Sequence, residues 1–261
     1  MELNRRNKVI ISIVLFAITL MINMLGSSGF INGLNQKDIS DKFSTLITPA
    51  GFTFSIWGII YLLLFIVLVI MFLKRNEKYY VTIIRQITPL FWLSCVLNSL
   101  WIIVFSYQLI SLSLLVIVAL CLTLLLILRR IFIANNKERT FLPIVFAIYS
   151  GWVFIASFVN LALFLNYLKL DFNGFGKDKI YVLLLIIVVV LAMLLQNYHK
   201  NAVFNLPIAW GFFGILKALE VKGIETVLSN VLFVGIFLLV LKSAFDFYRN
   251  NYHVLPNNRR F

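Results

Sequence analysis

The sequence predicts an all-α, polytopic membrane protein of about eight spans, and three observations predict it. Of its 261 residues, 62% are hydrophobic and only 13% are charged. A soluble domain is about 45–50% apolar and about 25% charged. The mean hydropathy is +0.98. The apolar runs are continuous rather than alternating, which argues against a barrel and leaves helices to satisfy the backbone in hydrocarbon.

The first span, about 9–25, follows Arg5, Arg6 and Lys8 and precedes the small residues Gly26-Ser27-Ser28-Gly29. A cleaved signal peptide has the same layout. Retention as a true span is the expectation, because a seven-span remainder would need its orientation explained anew. The connection from Gly26 to Ile47 is the longest, with NQKDISDKF as its polar middle. Thr48-Pro49 then reads as a helix start, Thr as N-cap and Pro at the first helical position.

The second span, about 50–73, lies in Thr48–Phe72, 25 residues without a charge. About 20 apolar residues suffice to cross a bilayer. An ordinary span does not need Phe54, Trp57 and Tyr61 at spacings of three and four, which gather on one helical face. The third span, about 88–106, carries Asn98, Trp101 and Phe105. The uncharged Tyr107–Ser111 joins it to the fourth, about 112–133, as a tight antiparallel hairpin. The fifth, about 141–165, carries Tyr149, Trp152, Ala156 and Asn160 at i, i+3, i+7 and i+11.

Three spans remain: about 180–197, 203–219 and 227–245. Lys217 and Glu220 cut the seventh short. Within it Trp210 lies in Pro207-Ile208-Ala209-Trp210-Gly211, with Gly214 three residues on, a small-residue pattern that suits close helix packing. The one plausible subdivision falls near Leu168–Lys179, separating a five-helix unit, 1–167, from a three-helix region with a short tail, 168–261.

Sixteen of the 23 Lys and Arg residues fall on the side of the N-terminus and seven on the other. By the positive-inside rule both termini are cytoplasmic, in the cell membrane, with an even number of spans. The net charge of +13 sits in short loops, where topology and anionic headgroups explain it, so nucleic acid is not an expected partner. Cys95 and Cys121 fall inside spans without metal-ligand spacing and read as small apolar fillers.

Catalysis finds little support. His199 and His253 are the only histidines, and no HExxH, GxSxG, phosphate loop or dinucleotide fingerprint occurs in a usable context. The ten acids, Glu2, Asp38, Asp41, Glu77, Glu138, Asp171, Asp178, Glu220, Glu225 and Asp246, lie in loops or near helix ends. A mid-membrane carboxylate marks ion-coupled transport and none is seen. Asp246 follows Lys242 by four residues, which reads as a helix-end ion pair. No catalytic residue and no metal site is assigned.

The spans do hold neutral polar and aromatic residues at helical spacing. An amide in mid-span needs a hydrogen-bond partner, so Asn98 and Asn160 are expected to face protein or ligand. Three convergent stripes, Phe54/Trp57/Tyr61, Asn98/Trp101/Phe105 and Tyr149/Trp152/Ala156/Asn160, would line an apolar pocket suited to a flat hydrophobic ligand. Interfacial aromatic belts and Asn as interhelical glue account for the same residues and stay open as alternatives.

These motifs resemble the TspO/MBR family, the tryptophan-rich sensory or translocator proteins. Pro49, Trp57 and Tyr61 keep the spacing of that family's second-helix pattern P-x-W-x-F-x-x-x-W-x-x-L-Y, with Ile60 in the Leu position and Phe52 and Phe54 one residue off. Asn98, Trp101 and Phe105 match the third-helix N-x-x-W and its Phe. Tyr149, Trp152, Ala156 and Asn160 match the fifth-helix pattern, with Ile148 for its Pro and Val159 for its Leu. The run from Gly29 to Tyr61 is similar to the signature of a longer bacterial branch with extra C-terminal helices.

The resemblance implies a five-helix bundle over about 1–167 and a pocket for a porphyrin-type or isoprenoid-like ligand, in a sensor, regulator or translocator. It implies no other cofactor; the bilayer and a hydrophobic small molecule are the partners, and a homodimer is a candidate assembly. The connection before Pro49 lacks the tryptophans many short members carry, so light-dependent porphyrin breakdown is not expected. The sterol-type pattern Leu163, Tyr167, Lys169 recurs as Leu195, Tyr198, Lys200 and carries no weight. A permease-like subunit or a structural membrane partner, without tetrapyrrole binding, are the alternative readings.

Overall fold

The computed structural model describes residues 4–134, 140–168, 177–224 and 227–256. Glu2, Lys137, Glu138, Arg139, Lys169, Asp171, Glu225, Arg259 and Arg260 lie outside them, as does most of the expected subdivision near Leu168–Lys179. All the regular elements described are helical. They are α1 Arg5–Ser27, α2 Gln36–Lys42, a 3₁₀ turn Gly51–Ser55, α3 Ile56–Leu73, α4 Lys78–Ser106, α5 Ile110–Ile133, α6 Phe141–Tyr167, α7 Lys177–His199, α8 Leu206–Val221 and α9 Val227–Arg249. Among the described residues seven helical segments are long and apolar enough to cross a membrane. The chain is a polytopic all-α membrane protein.

Lipid is as apolar as leucine, so these helices are held by close packing and hydrogen bonds rather than by the hydrophobic effect. Helix α6 sits at the centre, against α3, α5, α7 and α8, and α1 packs on α3 and α4. Large apolar side chains cover the outside, among them Val14, Met21, Leu62, Phe65, Phe233 and Phe237. The expected hairpin forms: α4 ends at Ser106 and α5 begins at Ile110, with Gln108 at φ 57 making the reversal.

Three expectations change. Thr48 does not cap a helix at Pro49; its hydroxyl accepts from the Thr45 N–H at 2.8 Å. The chain is extended at Ala50, tightens into the 3₁₀ turn, and becomes α-helical only at Ile56. The polar middle of the first connection forms α2, closed by a capping box between Asn35 and Asp38. Helix α4 starts ten residues before the expected 88, at Lys78, and keeps Pro89 inside. Pro89 has no N–H for the Arg85 carbonyl, but buried Ile83, Ile84 and Ile87 hold that turn in place.

The seventh predicted span is the most altered. Helix α8 has only 16 residues, about 24 Å at 1.5 Å per residue, short of a hydrocarbon core of about 30 Å. The segment before it is irregular yet buried, with Asn201, Phe204 and Asn205 fully enclosed. Non-helical backbone is tolerated at such depth only when protein satisfies it. Here Ala202 N–H reaches the Val254 carbonyl at 3.0 Å, Val203 N–H the Asn201 Oδ1 at 3.0 Å, and Asn205 N–H the Gln196 Oε1 at 3.2 Å. Asn201 Nδ2 ties the segment to the Pro143 carbonyl at the start of α6, at 3.0 Å. Gly151 makes the docking possible, because a Cβ there would lie 2.3 Å from the Phe204 carbonyl oxygen.

Candidate functional site

The 3₁₀ turn, with three residues per turn, sets Phe54 against Trp152 of α6, while Trp57 in the first turn of α3 shares a face with Tyr61 and meets rings of α4 and α6. Trp57 becomes the centre of an aromatic cluster. It stacks on Tyr61 at 5.5 Å and on Trp101 at 6.2 Å, and meets Tyr149 and Trp152 edge-on at 6.1 and 6.2 Å. Trp101 in turn stacks on Phe105 at 5.3 Å, and Phe54 meets Trp152 edge-on at 6.5 Å.

A slot lies between these rings. Of the predicted residues, Phe54, Trp57, Trp101, Phe105, Trp152, Ala156 and Asn160 line it. Ser40 and Pro49 close it from the first connection and Ile155 and Gly211 bound it toward α8. The space between atoms is about 540 Å³, but the room for the centre of a water molecule is only about 40 Å³. That admits a few small molecules of solvent at most. A planar macrocycle needs the rings to move.

The slot's polar character is sparse and partly unspent. Asn160 Oδ1 accepts from Ser113 Oγ at 2.9 Å. The indole nitrogens of Trp101 and Trp152 are buried without a partner. A buried donor left unpaired costs about 1–3 kcal/mol, so an acceptor that reaches either nitrogen would recover energy already given up.

A wider cleft adjoins it, with about 530 Å³ of room for water centres against the slot's 40 Å³, and Phe54, Trp57 and Trp101 border both spaces. Tyr61 lines the cleft, with Asn23, Gln36 and Lys37. At its edge Lys37 pairs with Asp41, whose hydrogen bond and charge raise the lysine's pKa above its usual value.

Asn98 and Tyr149 line neither space. They stand behind the ring cluster in a closed polar chain. Tyr61 Oη donates to Asn23 Oδ1 at 2.7 Å, Asn23 Nδ2 to Asn98 Oδ1 at 2.7 Å, and Asn98 Nδ2 to the Tyr149 hydroxyl at 3.1 Å. The structure thus brings seven of the ten predicted residues to one slot, places Tyr61 in the neighbouring cleft, and puts Asn98 and Tyr149 one layer back. Sequence reasoning missed Asn23 and Ser113. The signal for Asn23 was available: it is an amide inside an apolar run, four residues after Thr19.

Metal chemistry finds no ligand group of three or more His, Cys, Asp or Glu among the described residues. A family model described as "TSPO-like protein" matches residues 9–245 of the chain. That match runs through the five-helix unit and on into α9. No curated protein and no solved structure is similar enough to match.

Proposed function

Since the chain belongs to the family of TSPO-like proteins, we propose that it is a membrane binding protein, a sensor or translocator, whose aromatic slot takes a hydrophobic planar ligand of the porphyrin type. The observation that carries this reading is the pair of unpartnered indole donors, Trp101 and Trp152, among the residues that line a largely apolar, ring-walled slot. Of the three rings that border both the narrow slot and the wider cleft, Trp57 is the central one of the cluster and the one through which the ligand gains access in this reading. Turning it merges the two spaces.

The test is tryptophan quenching by protoporphyrin IX in the purified protein. Saturable quenching is expected, and the triple change Trp57→Phe, Trp101→Phe, Trp152→Phe should abolish high-affinity binding. Affinity unchanged in a folded triple variant would remove the slot from the reading.

The narrowness of the slot favours one second reading, a structural membrane partner whose rings only hold helices together. It predicts that no tetrapyrrole, sterol-like compound or quinone raises the melting temperature of the detergent-solubilised protein. A permease-like subunit is the third, and uptake into proteoliposomes with and without an ion gradient separates it from a sensor. The excess of Lys and Arg on the N-terminal side supports both termini in the cytoplasm of a cell-membrane protein, with α8 and its buried lead-in together making the eighth crossing, which reporter fusions at each end check. A homodimer is the proposed assembly, open to light-scattering mass measurement.

A further inference from the structure

Helix α8 lies outside the five-helix unit that the sequence resembles, yet its packing ties it to the slot. Trp210 Nε1 donates to the Thr53 carbonyl at 3.1 Å, and the Ala50 N–H donates to the Gly214 carbonyl at 3.0 Å. Phe52 meets Trp210 and Phe213 edge-on at 5.5 and 6.0 Å. The helix is therefore fastened along the 3₁₀ turn that carries Phe54 into the slot.

Two glycines set how close it comes. A Cβ on Gly214 would lie 2.0 Å from Thr53 Oγ1, so no side chain fits there while the helix stays in place. A Cβ on Gly211 would lie 3.0 and 3.1 Å from the two γ-carbons of Ile155. Gly211 and Ile155 both line the slot. At this point the slot is bounded by bare backbone of α8, in the seam between the 3₁₀ turn and α6.

From this we infer that α8 is the fourth wall of the slot: it seals the seam against lipid, and residue 211 sets the largest ligand the slot admits. The inference rests on the proposed reading of the slot as a site for an apolar planar ligand. A side chain at 211 takes its volume directly from the space such a ligand would use. The glycine is thus a width-setting residue, and Ile155 is the neighbour that can trade volume with it.

The experiment has two arms, both on the full chain in lipid nanodiscs. In the first, protoporphyrin IX is titrated against wild type, Gly211→Val and the double variant Gly211→Val/Ile155→Ala, with tryptophan quenching as the readout. Overpacking by a branched side chain should weaken binding by about tenfold or more, and the double variant should recover most of it. Equal affinity in all three would overturn the width-setting role while leaving the slot as the binding site. Loss in both variants, with the folded state intact, would also overturn it, because volume exchange would not be the cause.

The second arm needs no tetrapyrrole. In a Trp92→Phe background, which keeps the Trp210 bond to Thr53, emission comes from Trp57, Trp101, Trp152 and Trp210, and acyl-brominated phospholipid reports contact with lipid. Gly214→Leu should lift α8 off Thr53 and raise quenching, with Gly214→Ala substituted if the larger change yields no monodisperse protein. Quenching as strong in the parent as in the variant would show that α8 seals nothing. Should wild type fail to bind protoporphyrin IX, the ligand reading falls and this arm alone decides whether the wall exists.

Discussion

Two buried polar clusters hold this molecule together, and they solve the same problem with opposite chemistry. Behind the slot, Asn23, Tyr61, Asn98 and Tyr149 form a neutral chain in which Asn98 is fully enclosed and bonded through both ends of its amide. Among the last three helices, Asp246 is 6% exposed, pairs with Lys242 one turn earlier, and accepts from Gln196 Nε2 at 2.8 Å. Gln196 Oε1 in turn takes the Asn205 N–H. The neutral cluster stitches α1, α3, α4 and α6 where the rings must keep their register. The charged cluster fastens α9 to the end of α7 and the irregular lead-in to α8. A neutral chain holds its shape if one member shifts, whereas a buried ion pair fails when either partner goes.

That contrast orders the expected effects. Asp246→Ala should be the most damaging, by about 3 kcal/mol or more, because it strands Lys242 and removes the acceptor of Gln196. Asp246→Asn should recover part of this and the double change Lys242→Met/Asp246→Leu most of it, by thermal unfolding in detergent. A single Asp246→Ala variant as stable as wild type would erase the distinction between the clusters.

Asn98→Leu comes next, at about 2 kcal/mol, since it leaves the enclosed Tyr149 hydroxyl without its donor and Asn23 without its acceptor. Its companion Asn23→Leu should cost less, and the double variant less than the sum, which a double-mutant cycle measures. Trp210→Phe keeps the ring packing on Phe52 and loses one bond to Thr53, about 0.6 kcal/mol by the average for such bonds in membranes. Lys37→Ala breaks a pair in which both side chains are about half exposed. It should move stability by no more than about 0.5 kcal/mol. A larger loss there would mean that α2 contributes more than a cover to the slot.

What could be read in the sequence follows from how local each cause is. The long spans are visible because a charge-free run of that length has only one use in a bilayer. The aromatic wall is visible because helical spacing puts residues on a face before any packing is known. Thr48 misleads because Thr-Pro is also a good turn, and only the contact with Thr45 decides between them. Asn98 was recognised as needing a partner, but its partners arrive from Asn23 and Tyr149, 75 and 51 residues away in the chain, so no spacing could place it behind the rings rather than among them. The part played by Gly211 is hidden for the same reason: nothing near residue 211 mentions Ile155.

The brevity of α8 bears on how the chain is made. An insertion machinery that admits segments by length and apolarity has little to hold in 16 residues followed closely by Lys222. Its place alongside α6 depends on Gly151 receiving Phe204 and on Gln196 and Asn201 satisfying the backbone before it. All three receivers are synthesised earlier than α8. The α6 and α7 side of its seat is therefore made before it, while α9 and Val254, which also hold it, come after, and a nascent chain stalled before Ile224 should leave the slot open on that side.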